Sequence, residues 1–309
     1  MPEFETLVNP PQEVWDQAVK MSAETDNWNF QSEDYKLWSE TYGQFWLVTA
    51  VEKGTLNFVA SVSLARWDGD DGPLYSIGMF YCVPKYRGLG LCKPIFQTVM
   101  DIIGDKPATL TGAVKMSAKY AKVFGFDKCP EHWHVWSDVK LSDVEIPKIL
   151  SEKYSTKVWT EVDYGALTYY DRTICIRDRK KIMAAWFNLP RTFTRVVSDV
   201  TGKIVGYGTI RFVGNKRLSC APYYADNLEA AEVLLKDLLE NIPDWKNHTT
   251  LEFLYPECNK DPLRLLGRFA KSKEVVSTKK FCRSQFTKIL IPTPDEKVYS
   301  LSDFSQQYV

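Results

Sequence analysis

The chain has 309 residues, of which 45% are hydrophobic and 25% are charged, a composition typical of a folded globular protein. Its 39 lysines and arginines are balanced by 39 aspartates and glutamates. A dedicated nucleic-acid-binding protein needs surplus positive charge to neutralise phosphates, so this balance argues against that class. We therefore expect no nucleic-acid partner.

The N-terminal residues and the cysteines indicate a cellular compartment. The stretch MPEFETLVNPPQEVW lacks the basic start and the apolar run of a signal peptide. No stretch approaches the ~20 consecutive apolar residues that a membrane helix needs. The seven cysteines are widely spread and form no CxxC pair, which is typical of reduced thiols. We expect a cytoplasmic protein without a membrane partner.

The first part of the chain alternates between helical and strand patterns. Residues 12–42 read as a helix in two pieces, with Ser32 as the N-cap of the second piece. Later helices are expected at 91–103 and 115–124. Strands are expected at 45–51, 58–67, 74–83, 107–113 and 132–137.

A polar segment at 138–150 reads as a link to a second half. Helices are predicted there at 177–188, at 228–242 with Asn227 as N-cap, and at 261–270. Strands are predicted at 194–200, 204–213, 251–255 and 284–291. Both halves follow a similar order of elements, which suggests an internal structural duplication without a clean sequence repeat.

The stretch YCVPKYRGLGLCKPIF (81–96) places glycines where a predicted strand passes into a predicted helix. It does not fit a Walker loop, because Lys93 follows Gly88 at the wrong spacing and Pro94 replaces the hydroxyl residue. It does not fit a GxGxxG fingerprint either, because position 93 is lysine instead of glycine. An R/QxxGxG/A pattern fits, with Arg87, Gly90 and Cys92 in its positions. Glycines at a helix start let backbone amides approach a pyrophosphate, although the same pattern also suits a strand-to-helix turn without a ligand.

This stretch, together with AKVFGF at 121–126, resembles motifs A and B of the GCN5-related N-acetyltransferase (GNAT) superfamily. The resemblance implies that the strand before the glycines splays from its neighbour and pairs with the pantetheine arm of acetyl-CoA. Cys82 and Val83 would then meet pantetheine. The pyrophosphate would be bracketed by Arg87, Gly88, Leu89, Gly90, Leu91 and Cys92.

The second half contains the segments YDRTICIRDRKKIM (170–183), GKIVGYGTIRF (202–212) and LYPECN (254–259). With these segments it resembles the degenerate C-terminal domain of two-domain GNAT proteins of the YitH/HolE type. The segment APYYADN (221–227) stands where the glycine turn would be, so we expect no CoA binding there. The resemblance implies an α/β fold of tandem GNAT-like domains, each a mixed, mostly antiparallel twisted sheet flanked by helices. We expect residues 1–140 to bind acetyl-CoA and residues 148–309 to close the acceptor site.

Amine acetylation needs a base for the nucleophile, a donor for the oxyanion and an acid for the thiolate. Backbone N–H groups near Cys82 and Val83 could serve the oxyanion. The family's frequent tyrosine falls on Ala121, and the adjacent Tyr120 is rotated by ~100° on the helix. The weak catalytic candidates are Tyr120, His134 and Glu252.

The CxxHxH pattern of Cys129, His132 and His134 contains residue types that bind metals. We interpret these residues as structural rather than metal-binding. The family resemblance implies an acetyl-CoA-dependent N-acetyltransferase, which we expect to act without a metal on a small-molecule amine by direct transfer in a ternary complex. The alternative is a catalytically inactive CoA-binding regulatory or interaction protein.

Overall fold

A computed structural model describes residues 3–148 and 151–302. Its first half contains four helices and six strands within those residues. The strands are β1 (Phe4–Val8), β2 (Gln44–Glu52), β3 (Phe58–Trp67), β4 (Leu74–Cys82), β5 (Ala108–Ala113) and β6 (His134–Lys140). The helices are α1 (Gln12–Asp26), α2 (Asp34–Thr41), α3 (Cys92–Ile103) and α4 (Ser117–Phe124).

The second half repeats this order and ends with one more strand. Its strands are β7 (Tyr154–Val158), β8 (Thr192–Asp199), β9 (Ile204–Val213), β10 (Arg217–Ala225), β11 (Thr250–Pro256), β12 (Ser277–Phe286) and β13 (Val298–Ser300). Its helices are α5 (Tyr164–Arg172), α6 (Lys180–Phe187), α7 (Leu228–Glu240) and α8 (Asp261–Phe269). The expected structural duplication is confirmed by this shared order of elements.

The strands of both halves form one continuous mixed sheet. Its order is β1-β2-β3-β4-β5-β12-β6-β11-β10-β9-β8-β7, with β13 paired to β10 outside this path. The sequence of strands is symmetric about the β12–β6 pair. Each half thereby lends a strand to the other, since β12 pairs with β5 and β6 pairs with β11. The sheet is continuous across the predicted domain boundary, and the division at 140 and 148 stays a prediction.

Helices cover both faces of this sheet and bury its apolar side chains. Ile95, Phe96 and Val99 form the buried face of α3, spaced as one side of a helix requires. The helix α7 begins at the predicted cap, because the Asn227 side chain accepts a hydrogen bond from the Ala230 amide at 3.0 Å. The second half also reaches α2, where the Arg211 guanidinium of β9 contacts the Asp34 carboxylate at 2.6 Å.

Several local predictions were wrong. Ser32 does not cap α2; its hydroxyl bonds to Asp16 at 2.6 Å. The polar link begins later than predicted, because β6 runs to Lys140. The last long strand is displaced, since β12 ends at Phe286 and residues 287–291 lie outside it.

In the described parts of the chain, no helix is long and apolar enough to cross a membrane.

Candidate functional site: an open strand edge and a glycine turn

Within residues 3–148 and 151–302, the C-terminal end of β4 has a free edge. β4 pairs in parallel with β5 only from Tyr75↔Ala108 to Ile77↔Leu110. Beyond this point, among the residues that the structure describes, β4 pairs with β3 alone, ending at the Ala60↔Cys82 pair. The two central strands therefore part at Ile77, and the following residues of β4 turn backbone polar groups toward the gap.

A β-bulge lies at the point where the strands part. Between the pairs Ser61↔Tyr81 and Ser63↔Gly78, β4 carries one residue more than β3. Met79 adopts φ = +46°, a value that side chains usually avoid, and its carbonyl accepts a 2.9 Å hydrogen bond from the Ser61 hydroxyl. Strained backbone of this kind is concentrated at functional sites.

The free edge leads into a turn that exposes backbone at a helix start. Gly88 and Gly90 have φ of +82° and +79°, and each has open space where a Cβ would stand. The helix α3 begins two residues later, at Cys92, and Pro94 occupies its first turn, where a missing N–H costs little. The turn thus presents backbone amides and the positive end of the helix dipole to an anion.

Arg87 flanks this turn and is held in place by two contacts. Its Nε donates to the carbonyl of Cys82 at 2.9 Å, and its Nη2 lies 2.5 Å from Oδ2 of Asp26 at the end of α1. The guanidinium remains about half exposed, so an incoming phosphate can approach it. Asp26 was not found from the sequence, because nothing local signals that α1 ends beside the turn.

The thiols of Cys82 and Cys92 face each other across the turn. Their hydrogen bond lowers the pKa of Cys92, helped by the nearby charges of Lys119 and Arg87, and raises the pKa of Cys82. This direction is the expected one, because Cys92 is the first residue of α3, where the helix dipole favours a thiolate. Val83 is engaged differently: its amide donates to the Val59 carbonyl, and its carbonyl accepts from the Tyr86 amide, both at 2.9 Å.

An aromatic wall closes the α3 and α4 side of the gap. Phe80 of the free edge lies 5.1 Å from Phe96 and 6.3 Å from Tyr120, measured between ring centroids. Phe96 and Tyr120 stack at 6.0 Å. Burial raises the pKa of the Tyr120 hydroxyl, which makes this group a weaker acid than an exposed tyrosine. The contact with Phe80 places the Tyr120 ring beside the gap, although the sequence suggested that the helix would turn this side chain elsewhere.

The connection between α1 and α2 covers the opposite face of β4. Trp28 lies 5.5 Å from the ring of Tyr81, whose hydroxyl is 2.8 Å from that of Thr25. The second half holds this connection in place. Arg217 donates to the carbonyl of Asn27 at 3.0 Å, and Asn29 donates to Ser219 at 3.3 Å.

The corresponding gap in the second half is filled by the chain itself. β10 and β11 pair only at Leu218↔Leu251 and Ser219↔Glu252. Beyond these pairs β13 enters between them, because Ser300 is opposite Tyr223 on β10 and Leu301 donates to Leu254 of β11 at 2.7 Å. A strand of the protein thus occupies the space that is open beside β4.

The other two catalytic candidates lie in different surroundings. Glu252 on β11 receives two hydrogen bonds from Nη1 of Arg217, at 3.1 and 2.9 Å; burial raises the pKa of its carboxyl, and Arg217 opposes this shift. His134 is buried on β6, 4.0 Å from the sulfur of Cys282, and burial lowers its pKa to about 3. Neither belongs to the free edge or to the glycine turn.

A cleft of about 590 Å³ lies between the halves, near the first residues of β4. Its walls include Trp67, which is paired with the first residue of β4, and Lys180 and Ile182 of α6. The glycine turn follows the last residue of β4, so this cleft is separate from the candidate site.

Comparisons with protein families cover both halves of the chain. Residues 1–174 match the model described as protein of unknown function (DUF1248). Residues 167–250 match the model of an acetyltransferase (GNAT) domain. No curated protein matches the chain.

Comparison with solved structures finds the same fold along the whole chain. A Pyrococcus horikoshii protein that has been designated an acetyltransferase is 16% identical, with a TM-score of 0.71 over 98% of this chain and 95% of its own. A tandem GNAT protein from the clavulanic acid biosynthesis pathway is 14% identical, with a TM-score of 0.65 over 92% and 98%. Saccharomyces cerevisiae N-myristoyltransferase with bound myristoyl-CoA is 13% identical, with a TM-score of 0.60 over 99% and 84%. The chain belongs to the DUF1248 family, and its fold is that of a two-domain GNAT protein.

Proposed function

We propose that the protein is an acetyl-CoA-dependent N-acetyltransferase that transfers the acetyl group directly to an amine in a ternary complex. One observation carries this proposal: the free edge of β4 leads, through a short 3-10 helix at Pro84–Tyr86, into two left-handed glycines at the start of α3. This arrangement offers an extended amide-containing chain a strand edge for hydrogen bonding, and it offers a diphosphate a set of backbone amides. Coenzyme A joins these two chemical features in one molecule.

The residues around the turn fit the coenzyme. Side-chain-free backbone at Gly88 and Gly90 leaves room for phosphate oxygens, and Arg87 supplies a positive charge beside them. The turn also contains Leu89 and Leu91, and Cys92 is the first residue of α3. The Val83 amide points toward β3, so strand alternation directs the preceding amide, that of Cys82, toward the gap. We therefore assign the main-chain contact with the thioester end to Cys82 rather than to Val83.

Tyr120 is the group in the aromatic wall that can serve as an acid. Its hydroxyl carries a proton at neutral pH, as an ordinary tyrosine does, and it can give that proton to the departing coenzyme A thiolate. Burial raises the pKa of this hydroxyl, which makes it a weaker acid than an exposed tyrosine. The reaction forms the amide C–N bond, breaks the thioester C–S bond and leaves a neutral thiol when that proton is delivered; the amine nitrogen loses one proton to solvent, and solvent returns one proton to the Tyr120 oxygen. His134 and Glu252 are less suited, because one is sealed in the sheet and the other is bound to Arg217.

The proposed acceptor is a small-molecule amine. The α1–α2 connection covers the face of β4 from which an acceptor would reach the bulge, and Asn27 and Asn29 bond this connection to the second half. A folded protein substrate would have to displace that cover. The proposal therefore gives the second half the task of closing the acceptor site.

A second candidate function is a coenzyme A-binding regulatory protein without catalysis. One observation favours it: the free edge of β4 from Gly78 to Cys82 carries no carboxylate or imidazole that could act as a base. The two candidates agree on coenzyme A binding and differ on turnover.

The test is a turnover assay with acetyl-CoA and a panel of small amines, in which release of coenzyme A thiol is measured. Calorimetry with acetyl-CoA accompanies it. Binding with amine-dependent thiol release supports the transferase, whereas binding without release supports the regulatory protein. Absence of binding would refute both.

A further inference from the structure

Three side chains with different metal-binding chemistry meet where β6 begins and β11 ends. They are His132, which precedes β6, Cys258, which follows β11, and Asp295, which precedes β13. One ligand atom from each lies within 4.8 Å of the others. His132 Nε2 is 3.2 Å from Asp295 Oδ2, and the Cys258 sulfur is 3.7 Å from the same oxygen.

These separations match the edges of a tetrahedral zinc site. Typical zinc bond lengths place a nitrogen and an oxygen ligand about 3.3 Å apart, and a sulfur and an oxygen ligand about 3.5 Å apart. We propose that His132, Cys258 and Asp295 bind a Zn²⁺ ion, with the fourth position open to solvent. Cys258 is exposed and the other two side chains are about one-fifth exposed, so an ion can enter without opening the core.

Neighbouring residues hold the carboxylate ready for a metal. The Thr293 hydroxyl donates to Asp295 Oδ1 at 2.5 Å, which leaves Oδ2 directed at His132 and Cys258. The Asn259 amide binds the carbonyls of Asp295 and Val298 at 3.1 and 3.0 Å and fixes the loop that carries the carboxylate. Outer partners of this kind orient metal ligands and raise affinity.

The proposed site uses a different cysteine from the one in the CxxHxH pattern, whose residues we interpreted as structural. The CxxHxH pattern joins Cys129 with His132 and His134, but His134 lies beside Cys282 inside the sheet. His132 instead meets Cys258, which is distant in the sequence and was not predicted as a ligand. The proposed ion would tie the loop before β13 to the ends of β6 and β11. It would therefore stabilise the strand that fills the gap between β10 and β11, independently of acetyl-CoA.

The test is titration of the metal-free full-length protein with Co²⁺, a spectroscopic substitute for Zn²⁺. The thiolate should give a near-ultraviolet charge-transfer band that saturates at about one equivalent, and Zn²⁺ should abolish it. Cys258→Ser should remove the band, and Asp295→Asn should weaken Zn²⁺ affinity at least tenfold, in line with loss of a ligand. Cys129→Ser is the matched control and should keep both band and affinity.

A second readout does not depend on cobalt. Zn²⁺ should slow amide hydrogen exchange in residues 293–301 of the wild-type protein and leave that of His132→Ala unchanged, with circular dichroism verifying that the variant is folded. A protein that shows no band and no zinc-dependent protection would overturn the proposal. A band that survives Cys258→Ser would overturn the assignment of the ligands.

Discussion

Arg211 on β9 donates from Nη2 to Oδ1 of Asp34 on α2 at 2.6 Å, and this contact joins the two halves of the chain. The two side chains are only 2% and 1% exposed, so the charges compensate each other away from water. Asp34 also accepts the Gln31 amide at 2.8 Å, which fixes the end of the α1–α2 connection. A contact that stabilises the interface thereby also shapes the cover over β4.

Removal of one partner of this ion pair should destabilise the protein strongly. Asp34→Ala should lower the free energy of unfolding by about 3–5 kcal/mol, because it removes the nearest carboxylate from a buried guanidinium and leaves only Glu33, 3.6 Å away, as a counter-charge. Chemical denaturation of this variant, of Arg211→Ala and of the double variant measures the coupling. The double variant should lose at least about 1 kcal/mol less than the sum of the single variants. Glu40→Ala, at the exposed pair with Lys36, is the control and should cost below about 1 kcal/mol. Strictly additive costs would refute the coupling.

Gly90 should matter for coenzyme binding beyond its backbone conformation. Gly90→Ala and Gly202→Ala both place a Cβ on a residue with positive φ, at +79° and +84°, in open space. Each should therefore lose a similar 1–2 kcal/mol of stability. Calorimetry should show that only Gly90→Ala weakens acetyl-CoA binding, by tenfold or more, because its Cβ stands where phosphate must approach. Equal affinities in the two variants would contradict the role of the turn.

The thiol of Cys92 should ionise below its usual pH. Since the Cys82 hydrogen bond lowers the pKa of Cys92, its alkylation by iodoacetamide should reach half its maximal rate at a lower pH than in the denatured protein. Cys82→Ser tests the identity of the partner thiol, and mass spectrometry of the labelled peptide provides the rates. Acetyl-CoA should protect Cys92 and leave the labelling of Cys258 unchanged. An unshifted profile would contradict the thiol pair, and absence of protection would contradict the coenzyme site.

The glycine turn could be predicted because its signals are local. Pro84, Gly88, Gly90 and the apolar spacing of α3 all lie within a short stretch, and each has a direct physical reading. The helix α5 was missed although Asp163 caps it, with its carboxylate accepting from the amides of Gly165 and Ala166.

Long-range pairings were beyond such reasoning. The sequence of β12 does not specify that it pairs with β5 and β6, because pairing partners depend on contacts distant in the chain. β10 was missed because Pro222 within APYYADN argues against a strand, and it is tolerated there at a register shift between Cys220 and Tyr223. The cluster of His132, Cys258 and Asp295 could not be predicted either, because its members are distant from one another in the sequence.

Tyr120→Phe should separate chemistry from binding. If Tyr120 gives a proton to the leaving thiolate, kcat should fall about a hundredfold, since general acid catalysis contributes on this scale. The affinity for acetyl-CoA should stay within about twofold of wild type, because the ring that packs on Phe96 is retained. Tyr35→Phe, which removes a hydroxyl that bonds to the Pro10 carbonyl away from the turn, is the control. Unchanged kcat in Tyr120→Phe would exclude this tyrosine as the acid.

Asn259 should hold β13 in the gap of the second half. Its side-chain amide lies 3.0–3.2 Å from three carbonyls, those of Asp295, Glu296 and Val298. Asn259→Ala should therefore lower the free energy of unfolding by about 1–3 kcal/mol, because buried carbonyls lose their donor. Measured in EDTA, hydrogen exchange should accelerate in residues 298–301 and stay unchanged in β4. Asn241→Ala removes a comparable amide that bonds to Asp237 on the surface, and it should leave exchange in residues 298–301 unaltered. If both variants exchange alike in that segment, β13 is held by its strand pairing alone, and the open edge of β4 and the filled edge of β10 differ for a reason other than this side chain.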